Sequence, residues 1–167
     1  MHRSLFIAAL LVVSLAFPAH ASRDRVDVAE DGTVVFVRVV AIERDALLRV
    51  LVDPSLSSKL SPDVLSKEVL EEGECPVYRV ATRGLFRPLV YDFRGCITAD
   101  GLTEELVASE DFDAFACRWQ LTAVEGGTEI RYELLIKPRL KVPDKLVRVG
   151  QRRSMKAALN RLVEQAR

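Results

Sequence analysis

Residues 114–136 read AFACRWQLTAVEGGTEIRYELLI, and this stretch decides the fold. From Ala114 to Val124, Phe115, Cys117, Trp119 and Leu121 share one parity, opposite Ala116, Arg118 and Gln120. Glu125-Gly126-Gly127 turns the chain. From Thr128 to Ile136 the alternation resumes, with Ile130, Tyr132, Leu134 and Ile136 opposite Glu129, Arg131, Glu133 and Lys137. Successive side chains of a strand point to opposite faces of its sheet. Two period-two runs joined by a glycine turn therefore predict an antiparallel hairpin with one apolar and one largely charged face.

The same pattern extends upstream. In Leu89 to Ile97, Leu89, Tyr91 and Phe93 oppose Asp92 and Arg94; in Cys75 to Arg83, Tyr78 and Val80 oppose Arg79 and Arg83. Val64–Glu71, Leu102–Ser109 and the valine-rich Thr33–Ile42 read as further strands. Turns at Glu72-Gly73, Gly84-Leu85-Phe86-Arg87-Pro88 and Ala99-Asp100-Gly101 are short, so the strands form an antiparallel meander. Between the first two strands, Asp45 is placed to cap a helix over Ala46–Val52, and Pro54–Lys59 a second helical turn that Pro62 stops. Pro138 and Pro143 bracket a linker. After it, Asp144 is placed to cap a helix that runs close to Arg167. Leu146, Val149, Met155, Ala158, Leu159, Leu162, Val163 and Ala166 fall mostly on one stripe of that helix, and the sheet is the large surface available to bury it. Runs of strands with segregated helices define an α+β domain.

The front of the chain has a different character. Arg3 precedes an apolar run from Leu5 to Phe17, Pro18 breaks it, and Ala19-His20-Ala21 has the small-x-small form of a cleavage site. Residues 1–21 read as a cleaved secretory signal, too short in its apolar part to span a bilayer. Residues 22–32 read as a polar lead-in and 33–167 as one domain. The expected location is periplasmic or secreted. The sequence holds two histidines, His2 and His20, both within the signal. A mature chain of about 146 residues would lack histidine, which excludes Ser-His-Asp and Cys-His catalysis and histidine-bearing zinc or iron sites. No metal or cofactor is expected. Lysine plus arginine number 24 and aspartate plus glutamate 24, so no cationic surplus argues for nucleic acid as a partner.

Three cysteines remain, Cys75, Cys96 and Cys117. Cys75 opens one strand and Cys96 nearly ends the next, both with outward parity, and the corner between them is centred near Leu85-Phe86. A Cys75–Cys96 disulfide is the expected pairing. Cys117 points inward and lies about two strand spacings, roughly 10 Å, from Cys96, beyond disulfide reach.

The element order is strand, two short helices, six-stranded meander, long terminal helix, and it resembles the START-like superfamily, which also contains polyketide cyclases and coenzyme Q-binding proteins. Three stretches carry the resemblance: Ala46-Leu47-Leu48-Arg49-Val50-Leu51-Val52-Asp53-Pro54; the Cys117–Leu121 and Gly126–Tyr132 hairpin; and Pro138–Pro143 with the helix that ends Leu159-Asn160-Arg161-Leu162-Val163-Glu164. The chain departs from many relatives at Leu60-Ser61-Pro62, where they carry a tryptophan before the proline, so no contact of such a tryptophan is carried over. The resemblance implies a helix-grip fold, with the long helix across a curved sheet and a cavity between them.

The leading functional expectation is a carrier or binding protein for an apolar small molecule or lipid. Tyr78, Tyr91, Phe93, Phe115, Trp119, Tyr132 and Leu134 from the sheet, with Met155 and Leu159 from the helix, are the expected ligand-binding wall. A transient membrane contact is a further expectation. A cyclase- or hydrolase-type enzyme is the alternative; without histidine its acids or nucleophiles would come from Glu104, Tyr78, Tyr91, Tyr132 and Cys117. Glu104 reads as solvated near a strand start, and Cys117 as a small buried hydrophobe. A protein-interaction module using the charged outer face is the third class.

Overall fold

A computed structural model of the protein describes residues 24–84 and 87–167. The expected signal segment and the Leu85-Phe86 tip of the corner lie outside the described residues. Eight strands form one antiparallel sheet: β1 Arg25–Val28, β2 Val34–Val40, β3 Val64–Glu71, β4 Val77–Thr82, β5 Leu89–Thr98, β6 Gly101–Ser109, β7 Phe112–Val124 and β8 Gly127–Pro138. Their order is β1-β2-β8-β7-β6-β5-β4-β3, so the meander from β3 to β8 is uninterrupted and β2 closes on its far side. Helix α1 (Arg44–Val52) and the single turn α2 (Pro54–Ser57) connect β2 to β3, and α3 (Asp144–Gln165) follows β8. This is the helix-grip α+β arrangement.

The hairpin that fixes the fold has the register its alternation implies. Trp119 pairs with Tyr132, Cys117 with Leu134 and Leu121 with Ile130. Gly127 permits the turn: its φ is +153°, and a Cβ there would lie 1.9 Å from the Val40 carbonyl oxygen of β2. Asp53 caps α2, its carboxylate accepting from the Ser55 and Leu56 amides at 2.8 and 3.3 Å.

Three local expectations are corrected. Arg25–Val28, within the expected lead-in, pairs with β2 as an edge strand, because Asp24 receives a bidentate contact from Arg38 at 2.6 and 2.8 Å that ties the segment down. Asp45 and Asp144 are not caps. Both lie in the first helical turn, α1 starting from Glu43 and α3 from Pro143, where their charge still favours the helix dipole. The apolar stripe of α3 is buried only in part. Met155, Ala158, Leu159 and Leu162 are buried, whereas Leu146 and Val149 are 61% and 58% exposed.

That division organises the interior. The C-terminal half of α3 packs with Leu47, Val50 and Leu51 of α1 on Val34, Phe36, Leu121 and Ile130, and α3 makes its main contacts with β2, β8 and α1. This end of the sheet is a solid core. At the other end, β3 to β6 curl away from the N-terminal half of α3, and a cavity fills the space between.

Candidate functional site

The cavity measures about 620 Å³, a volume typical of small-molecule sites. Tyr78, Tyr91, Phe93, Phe115, Trp119, Tyr132 and Leu134 all line it. Alternation puts them there: each has inward parity on its strand, and the register sets Tyr78 against Phe93 and Trp119 against Tyr132. The rings form a connected wall. Tyr91 packs 5.0 Å from Phe115 and 5.3 Å from Phe112, and Tyr78 packs 5.4 Å from Phe93.

The helix residues expected in the wall are not there. Met155 and Leu159 are fully buried in the solid core, because they lie on the half of α3 that contacts β2 and α1. The part of α3 over the cavity contributes Val147, Gly150, Gln151, Ser154 and Ala158. Gln151 is buried and its side-chain amide donates to the Leu134 carbonyl at 3.2 Å. That bond anchors the helix above the opening, and hydropathy periodicity passed over it because the residue is polar. Leu60, of the Leu60-Ser61-Pro62 stretch, also lines the cavity and is buried.

Glu104 is the main correction. It is not solvated. Its parity matches Leu102, it pairs with Cys117 in register, and it faces the cavity. Burial pushes its carboxyl above the usual range, while Lys67 and the Cys117 thiol draw it back. Lys67, on β3, lines the same cavity with its ammonium 4.0 Å from the Tyr78 ring centre and 5.3 Å from that of Phe93. Burial lowers the Lys67 pKa, and Glu104 opposes that shift. Lys67 is not among the expected wall residues because Val64–Glu71 does not alternate apolar and polar residues; in the structure it pairs with Val80 in the regular stretch between two register shifts of β3. Burial also raises Tyr91, Tyr132 and Cys117, with Glu104 adding to each. The Cys117 thiol is therefore held in its protonated form, unsuited to nucleophilic attack.

Cys75 and Cys96 are joined by a disulfide with Cα atoms 4.4 Å apart, and Cys117 is a free, buried thiol. The Gly95 amide donates to the Pro76 carbonyl at 3.0 Å, which seats the two cysteines opposite each other across β4 and β5.

Comparison with known proteins agrees with this geometry. No family profile matches the chain, and no characterised protein matches it in sequence. Solved structures do match. A START superfamily protein from Mycobacterium smegmatis superposes with TM-score 0.69 at 14% identity, over 80% of this chain and 96% of that one. The Zhui aromatase/cyclase from a Streptomyces species gives 0.64 at 16% identity, over 80% and 92%. Human StAR-related lipid transfer protein 5 gives 0.61 at 13% identity, over 86% of each chain. The protein has the START-like fold.

Proposed function

We propose that this protein is a carrier that holds one apolar or lipid-like molecule between the sheet and the N-terminal half of α3. The observation that carries the reading is the aromatic-walled cavity of about 620 Å³. A chain that needed only stability would fill such a space, because voids in a packed core are destabilising. Similarity to a lipid transfer protein and to an aromatase/cyclase supports a hydrophobic ligand. The carrier reading is preferred to the enzyme because the lining is dominated by aromatic and aliphatic side chains.

The source of the ligand belongs to the same proposal. Leu140, Leu146 and Val149 are exposed in the segment that leads into α3. Around them stand Lys141, Lys145, Arg148, Arg152 and Arg153, none paired to a carboxylate among the described residues. Pro138, Val147, Gly150 and Ser154 of the same segment line the cavity. Exposed aliphatic side chains among cations suit the surface of an anionic bilayer, so the carrier would load where the cavity meets the membrane. Export through residues 1–21 would place that membrane contact in the periplasm or outside the cell.

Native mass spectrometry of the purified protein tests the reading, followed by organic extraction of any adduct. A stoichiometric apolar species is the expected result. Protein that is always free of ligand, and takes up no apolar probe, would refute the carrier.

A further inference from the structure

The cavity lining includes Asp63, half-buried, and Glu74 and Arg83, both exposed; on the inner face of the sheet, among the aromatic rings, stand two further ionisable side chains, Lys67 and Glu104. Lys67 lies opposite Val80 in the β3–β4 register, on the inner face. The side chain is half-buried, so its ammonium loses part of its hydration. Its ammonium rests over the rings of Tyr78 and Phe93, a contact that suits the charged form. Among the described residues no carboxylate comes within 4.0 Å of it.

Glu104 is the other. It lies across from Gly95 on one side and Cys117 on the other. Its neighbours in the cavity are Tyr78, Tyr91, Cys117 and Tyr132, all neutral, and the Lys67 ammonium. Burial favours its protonated form, and a protonated carboxyl donates a hydrogen bond. The cavity thus offers an ammonium that no carboxylate of the described residues reaches within 4.0 Å, and beside it the Glu104 carboxyl, which burial shifts toward its neutral, donating form. A ligand carboxylate would pair with the ammonium and accept from the neutral carboxyl. A hydroxyl would leave the Lys67 charge uncompensated, and a cationic head would be repelled by it.

We infer that the ligand is an amphiphilic acid, an alkyl or polycyclic chain ending in one carboxylate, whose head group sits between Lys67 and Glu104. The inference rests on the carrier reading and narrows it to a chemical class.

The test uses the full folded domain, delipidated, with Nile red as a neutral cavity dye displaced by three ligands of equal chain length: hexadecanoic acid, hexadecan-1-ol and methyl hexadecanoate. The acid should displace the dye about tenfold more tightly than the alcohol or the ester, as a charge-assisted hydrogen bond would give. Lys67→Met should bring the ratio of acid to alcohol affinity, each read by displacement of Nile red from the same variant, down to about one. Lys67→Arg, which keeps the charge, should retain the preference. It decides the matter if the methionine variant fails to fold. Equal binding of all three ligands by the wild type overturns the inference and leaves the carrier intact, as does an acid preference that survives Lys67→Met. Failure of the wild type to bind Nile red and every ligand sinks both.

Discussion

Trp119 on β7 stacks face to face on Tyr132 of β8, ring centres 3.7 Å apart and planes 10° from parallel. The two are direct register partners, so the contact joins the hairpin that fixes the fold to the wall of the cavity. Trp119 is 4% exposed and belongs both to the buried core and to the lining. Trp119→Ala should therefore cost about 3 kcal/mol, near the low end for large aromatic truncations, because one side of the ring already borders open space. Urea unfolding checks this, and a cost under about 1 kcal/mol would place the ring outside the core.

The disulfide makes a separate prediction. Cys75 and Cys96 are 21 residues apart in sequence, and closing a loop of that length stabilises by about 3 kcal/mol in the chain-entropy description. Peptide mapping without reductant should recover the Cys75–Cys96 pair, with Cys117 the thiol that is alkylated only after unfolding. A Cys96–Cys117 crosslink, or three thiols reactive in the oxidised native protein, contradicts it. The double replacement of Cys75 and Cys96 by serine should lower the thermal midpoint and leave the cavity able to bind.

Acid stability should depend on Asp111. It is buried, and its carboxylate accepts from Arg87 at 2.5 and 3.2 Å and from the Val90 amide at 3.1 Å. The Arg87 contact, helped by the Val90 amide, holds its pKa below the ordinary 3.8. The folded value lies under the unfolded one, so the stabilisation is complete above the unfolded value and fades as pH falls through the folded value. Asp111→Asn should reduce stability at neutral pH and flatten the acid limb below about pH 4. An acid limb as steep as the wild type's would show that Asp111 does not contribute.

Membrane docking through the segment leading into α3 predicts a lipid dependence. The domain should sediment with vesicles containing anionic phospholipid and remain in the supernatant with purely zwitterionic ones, and added salt should weaken the association. Replacing Leu146 and Val149 with aspartate removes both exposed aliphatic groups and should abolish sedimentation without unfolding the protein, since neither side chain is buried. Equal binding to zwitterionic vesicles would contradict a charge-led contact.

Much of this architecture was legible in strand alternation. Phe115, Trp119 and Tyr132 showed their inward side because their strands pair in regular register along that stretch. Lys67 did not, because Leu65, Lys67 and Val69 share one parity and Val64, Ser66 and Leu70 the other, so β3 shows no apolar side. Glu104 had inward parity, yet its charge argued for solvent; what places it inside is the aromatic cluster contributed by β4, β5 and β8, which no single strand reveals. On α3, Met155 and Leu146 lie on one stripe by sequence and differ in fate, since only the C-terminal half of the helix has β2 and α1 beneath it. A hydrophobic stripe predicts what a helix can bury, and the sheet's curvature decides how much of it is met.

The central claim is that an apolar ligand enters the space beside Trp119. Trp119 is the single tryptophan of the chain and lines that space, so its fluorescence reports on the cavity alone. Titration of the delipidated protein with a bromine-substituted octadecanoic acid should quench this emission saturably, at one ligand per protein, with recovery when unlabelled acid is added. Emission that stays unchanged, or declines linearly without saturation as in collisional quenching, would contradict the account.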